Sequence, residues 1–375
     1  MHYSVFESTR IGPSLWMGPK AATRKVRSVQ DENDCREFND CWCVTEKLWG
    51  GVGMSSQTYK SVEEGWRYRG YDAIMLDNQW FHMIVLPGKG CDILRCVYKP
   101  ENLLLTWSTA WGLRPKGTAS GFMDNYEGGF QIVFPNGGTA AHYQGADFDQ
   151  HGDVNLLPWR TRTCSRPDKL IVRGEVDSVQ MPFHCERSII LWDNQPRITL
   201  ETAVTNTGRQ RLPFMLGEHL VFGPPFLEPE GGEVDMPKGI SVIADNDTLS
   251  RTPWPYAVSG GQSVDLRELP AVGSPSDIFY LTDFPVGQFR VWRKHSAIGV
   301  EVRWDPLSLP YVWFWREFGR GGAPWYGRHY NIGLEPFTSY PTRGLPVAVN
   351  NGSAAWSNAG ETRTFAIDLD VVTKP

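Results

Sequence analysis

Nowhere does the sequence hold the roughly 18 consecutive apolar residues that a membrane-spanning helix needs, so no membrane span is expected. Its start, MHYSVFESTRIGPSLWMG, lacks the basic-then-apolar order of an export signal. A cytoplasmic location with reduced thiols follows as the expectation. Lysines and arginines are scattered and the net charge is -5, so neither nucleic acid nor an anionic membrane is expected as a partner. The seven cysteines are an odd number, and Cys41-Trp-Cys43 has one intervening residue where zinc pairs have two to four. No metal is expected. A G-x-S-x-G elbow is missing, and the Gly319-Arg-Gly-Gly322 run does not join a buried strand to a helix as phosphate and dinucleotide loops do. Helices longer than two turns are missing too, because a proline or glycine interrupts each candidate before a 3.6 period is established.

What is abundant is punctuation. Thirty-eight glycines and 27 prolines cut the 375 residues into short segments, which favours strands and turns. From Tyr71 the run YDAIMLDNQWFHMIVLPGKGCDILRCVYKP reads as three strands of a meander, broken at Asp77-Asn78-Gln79 and at Pro87-Gly88-Lys89-Gly90. Further strands are expected at 129–135, 197–206, 211–219, 278–283, 287–293, 298–304, 311–316 and 363–371. In the strand 197–206, Ile198, Leu200, Thr202 and Val204 share one face, and Arg197, Thr199 and Glu201 the other. Residues 259–276 read as one long loop. The fold expected is all-β, a large antiparallel sandwich with few short helices. It occupies residues 66–375, with residues 1–65 as an N-terminal extension packed on it.

The stretch Tyr311–Pro341 concentrates three tryptophans and four tyrosines and carries Glu335 among apolar neighbours. Aromatic faces with a few fixed polar groups suit a sugar ring, which stacks its C–H face and hydrogen-bonds at its edge. An apolar setting raises a carboxyl pKa toward the range useful for proton transfer. The competing reading of Glu335 is a structural ion pair with Arg316 or Arg328. Of the eight histidines, His219 precedes a Gly-Pro turn at a strand end, and His151 stands in the glycine-flanked HGDVNLLPW loop. His142 reads as peripheral and His329 as equally well solvated. Glu218, adjacent to His219 on a strand, points to the opposite face. A histidine and a carboxylate in an aromatic cleft suit acid and base catalysis on a neutral substrate.

Four segments, PGKGCDILRCVYKP, EGGFQIVFPNGG with HGDVNLLPW, TLETAVTNTG with GEHLVFGPPF, and NIGLEPFTSYP, together resemble the aldose 1-epimerase (mutarotase) family in the same order. The resemblance covers roughly residues 70 to 370. It implies a β-supersandwich with an open sugar cleft, no cofactor, and a free sugar as partner, in a monomer or homodimer. It also implies that His219 acts as acid, Glu335 as base, and His151 as a hydrogen-bonding group. Trp315, Trp325, Glu127, Gln131 and Tyr143 complete the expected sugar contacts. Leu220–Phe226 departs from the tyrosine-rich run that follows the acid histidine in galactose mutarotases, which marks a divergent branch. A carbohydrate-binding protein without activity, or a glycan lyase or hydrolase, are the alternatives on this fold.

Overall fold

The computed structural model describes residues 60–374, except 119, 247, 248 and 260. Strands dominate because glycine, proline and Asn/Asp turns recur before any helical period can build. The α-helices among the described residues are short, Phe122–Asn125 and Leu345–Asn350, and a 3-10 turn spans Lys99–Glu101.

Two antiparallel sheets form the body. The larger has twelve strands among the described residues and contains the meander Tyr71–Asp77, Phe81–Leu86 and Asp92–Tyr98. It then runs sideways through Phe130–Val133, Gly217–Phe222, Tyr330–Phe337, Tyr311–Phe318 and Asp277–Thr282. The second sheet has eight strands, with Arg197–Asn206 between Phe183–Trp192 and Thr362–Thr373. Apolar side chains from both sheets form one core, and Ile198, Leu200, Thr202 and Val204 all turn into the interior as their alternation requires. Arg187 of the second sheet reaches across to Glu218 of the first, with Nη2 donating to Oε2 at 2.8 Å. That pair fixes which way the His219 strand faces. Glu218 points into the space between the sheets, so His219 points out of the opposite face.

Of the expected N-terminal extension, residues 1–59 lie outside the described residues, and residues 61–65 begin the edge strand Ser61–Tyr68. The segment 259–276 is not one loop, since Tyr256–Ser259 and Gln262–Asp265 pair as a hairpin. Four strands of the second sheet, Arg160–Arg166, Lys169–Asp177, Phe183–Trp192 and Gly232–Asp235, and Ser241–Ala244, Arg251–Pro253 and Tyr330–Phe337 of the larger sheet escape the sequence reading. Cys91, Cys96 and Cys185 are buried and Cys164 is half-buried, while Cys35, Cys41 and Cys43 lie outside the described residues. No helix among the described residues is long and apolar enough to cross a membrane.

Candidate active site

Strand register builds the site. Gln131 pairs with His219, and Glu335 pairs with Trp313. Between Gly217↔Phe337 and Val221↔Gly333, His219 and Glu335 stand opposite each other. Directly opposed residues of antiparallel strands share a face. Gln131, His219, Glu335 and Trp313 therefore form one cross-strand row on the outer face of the larger sheet. His219 Nε2 lies 3.6 Å from Glu335 Oε1.

Above this row is a cavity of about 410 Å³. Trp313, Trp315 and Trp325 wall one side; the short helix supplies Phe122, Met123 and Tyr126 on another. His151 enters from its loop, with its ring centroid 5.6 Å from that of His219. Its backbone sits at φ +62°, a left-handed conformation uncommon for a histidine and held here by local bonds. The His151 amide donates to Gly138 O at 2.9 Å, and the Gly138 amide donates back to His151 Nδ1 at 3.3 Å. Because Nδ1 accepts, the neutral ring carries its proton on Nε2, which makes His151 a donor.

Electrostatics follow from burial. Among the described residues, no lysine or arginine lines the cavity. Burial pushes the Glu335 carboxyl well above the usual carboxylate range. It pushes the His219 imidazole down to about 4. His151 is also held well below the usual histidine value, first by burial and then by the charge His219 would carry. Arg316, offered as a partner for Glu335, instead faces Asp277 at 3.6 Å, and Arg328 is exposed. The structural ion-pair reading of Glu335 therefore fails. The cavity holds a buried carboxyl and a buried imidazole side by side, each biased by burial toward its neutral form, beside His151 as a donor. Glu335 Oε2, His219 Nδ1 and the Tyr126 hydroxyl make no hydrogen bond within the described residues.

A protein-family model described as Domain of unknown function (DUF4432) matches residues 68–371. The chain belongs to that family. Among solved structures, this DUF4432 protein is similar to a galactose mutarotase-like protein of Clostridium acetobutylicum, with 14% identity, TM-score 0.61, and 84% of this chain and 99% of that chain covered. It is similar to a Klebsiella pneumoniae protein classed as a candidate aldose 1-epimerase, with 14% identity, TM-score 0.64, and 84% and 83% covered. A galactose mutarotase-like protein of Lactobacillus casei matches with 14% identity, TM-score 0.57, and 80% and 99% covered. At these identities the likeness is one of fold, and the fold is the galactose mutarotase-like supersandwich.

Five of the eight residues expected at the site of this DUF4432 member, His219, Glu335, His151, Trp315 and Trp325, line the cavity. Three do not. Tyr143 lies half-buried in the hairpin Ala141–Tyr143/Ala146–Phe148, where its hydroxyl accepts from Gln144 Nε2 at 3.2 Å. Glu127 and Gln131 are buried beside the site in a cluster with Lys89 and Asp92. Lys89 Nζ stands 2.6 Å from Asp92 and 3.1 Å from Glu127, and burial pushes the Glu127 carboxyl up to about 7 against the attraction of Lys89. Both are fully buried and neither is part of the cavity lining.

His142 is exposed beside Asp147, as expected of a peripheral residue. His329 is not solvated but 3% exposed. Its Nε2 accepts from the Ala110 amide at 3.0 Å, and its ring meets Trp107, Trp111 and Trp325 edge-on. It buttresses the Trp325 wall from outside the cavity. Sequence reasoning missed Phe122, Tyr126 and Trp313. The i, i+4 spacing of Phe122 and Tyr126 before the EGGF turn, and the period-two spacing of Trp313 and Trp315, were the available signals.

Proposed function

We propose that this protein is a sugar mutarotase of the aldose 1-epimerase kind, interconverting the anomers of a free aldose. The observation that carries the reading is the His219–Glu335 pair, 3.6 Å apart and buried among aromatic walls in a cavity large enough for a sugar.

One member of the pair gives a proton to the ring oxygen while the other takes the proton of the anomeric hydroxyl. The C1–O5 bond breaks and the open-chain aldehyde forms. Rotation about C1–C2 turns the other face of the carbonyl to the ring-closing hydroxyl, and the two transfers reverse. Atoms and charge balance, and the pair ends with the single proton it began with. Burial favours that proton on Glu335 in the free protein. The family-like assignment, His219 as acid and Glu335 as base, needs the proton moved to His219 when the sugar's oxygens replace the lost solvation. Closure and opening use opposite roles, so each group serves as both in one cycle. The His151 Nε2–H supports the oxygen that gains electron density, and Trp315 and Trp325 stack on the ring.

The test is exchange NMR or polarimetry on α-D-glucose, α-D-galactose and other free aldoses. Glu335→Gln and His219→Gln are each expected to slow anomer exchange ~10²- to 10⁴-fold. A Glu335→Gln protein as fast as wild type overturns the scheme. Saturable quenching of tryptophan fluorescence by sugars without any exchange above the spontaneous rate would make the protein a sugar binder instead.

A further inference from the structure

Gln131 and His219 are directly opposed across two strands, on the same face. Both are buried, at 0% and 5% exposure. Each ends in an atom without a hydrogen bond among the described residues, Gln131 Oε1 and His219 Nδ1. One is an acceptor, and the other can carry a proton. Opposed residues in such a pair have Cβ atoms about 5 Å apart, so a small side-chain rotation joins them.

The orientation of the amide is fixed from its other side, by the next strand of the sheet. Gln131 Nε2 donates to Asp92 Oδ2 at 3.0 Å, and Lys89 Nζ donates to the same oxygen at 2.6 Å. The Lys89 ammonium can only donate, so this oxygen is an acceptor, and the amide nitrogen faces it while the amide oxygen faces away. Reversing the amide would set its oxygen against that carboxylate oxygen.

We propose that Gln131 is a positioning residue for His219, accepting from Nδ1–H and so holding the imidazole as the tautomer whose bare Nε2 faces Glu335 Oε1. The hydrogen-bond chain then runs in one direction from Glu335 through His219 and Gln131 to Asp92, whose Oδ2 also accepts from Lys89. With Nδ1 engaged, Nε2 alone exchanges protons with the substrate and Glu335. This deepens the mutarotase reading and rests on it for the kinetic consequence only, since the tautomer is a property of the free protein.

The experiment is ¹⁵N NMR of the full chain labelled at histidine, with the His219 signals assigned by their loss in His219→Gln. Wild type is expected to show a protonated Nδ1 and a bare Nε2. A His219 that shows the Nε2–H tautomer overturns the proposal, whatever any variant does. Gln131→Met keeps the volume and removes the acceptor. It is expected to mix the two tautomers and, on the aldose with the fastest exchange, to lower kcat about tenfold or more with KM unchanged. A Gln131→Met protein with the wild-type tautomer and wild-type kcat overturns it too. Absence of anomer exchange with every sugar would remove the mutarotase reading, while the imidazole spectrum still decides the role of Gln131.

Discussion

Glu335 and His219 are displaced in opposite directions by the same burial, and the stability of the fold should record it. A carboxyl raised well above its unfolded value stabilises the folded chain below about pH 4.5 and loses that contribution as pH rises. An imidazole lowered to about 4 stabilises above about pH 6.5 and loses the contribution as pH falls toward 4. Between these limits the two slopes oppose each other in wild type. Removing one partner should expose the other. Relative to wild type, Glu335→Gln is expected to gain stability with rising pH from 4 to 6.5, by up to about 3 kcal/mol. His219→Gln is expected to lose stability over the same range. Urea midpoints at half-unit pH steps check both, and two variants with the wild-type slope would show that neither group is held neutral by burial. The choice of these two residues was legible in the sequence because each stood beside a local anomaly: Glu335 among apolar residues and His219 at a Gly-Pro turn. The placement of Glu127 and Gln131 was not, because their burial depends on Lys89 and Asp92, about 35 to 40 residues earlier in the chain.

At the scale of the element, the strand Tyr330–Phe337 shows why part of the sheet could not be read. All eight of its residues are buried, so no alternation marks it, and Pro336 argues against a central strand. Arg197–Asn206, packed on one face only, alternates and was legible from end to end. Two glycines in the site strands have separable duties. A Cβ on Gly333 would come within 2.5 Å of Glu335 Oε1, the movable end of a side chain two residues along on the same face. A Cβ on Gly217 would meet the Phe337 ring at 2.2 Å, and that ring is stacked on Trp313 at 3.7 Å with an interplanar angle of 1°. Gly217→Ala therefore drives one packed ring into another and is expected to cost about 1 to 3 kcal/mol of stability. Gly333→Ala is expected to leave stability within about 1 kcal/mol of wild type, since the clash is relieved by swinging a carboxyl. Its cost falls on anomer exchange, at least tenfold, because the carboxyl leaves its place beside His219. Thermal melts and exchange rates on the same preparations check the pair, and a Gly333→Ala protein with wild-type exchange would sever Glu335 geometry from activity.

For the whole molecule, the division of labour lies between two faces of one sheet. The inner face packs on the eight-stranded sheet and carries the Arg187–Glu218 link, while the outer face carries the His219–Glu335 row. Turn spacing and glycine content made the sandwich legible; which face holds the chemistry was legible only where neighbours in sequence, Glu218 and His219, had to point apart. Charge acts at this scale as well. The chain carries a net charge of -5, and no lysine or arginine lines the cavity among the described residues. The buried cations nearby are committed elsewhere, Lys89 to Asp92 and Glu127, and Arg187 to Glu218. An anionic sugar would lose hydration in the cavity without gaining a countercharge there. Hexuronates and hexose 6-phosphates are therefore expected to bind at least about tenfold more weakly than the matching neutral hexoses, a difference of ~1.4 kcal/mol. Tryptophan fluorescence titrations at low and high salt check this. Salt should remove the part due to net charge and leave the part due to desolvation, so a preference for neutral sugars that vanishes at high salt would place its origin on the surface and not in the cavity.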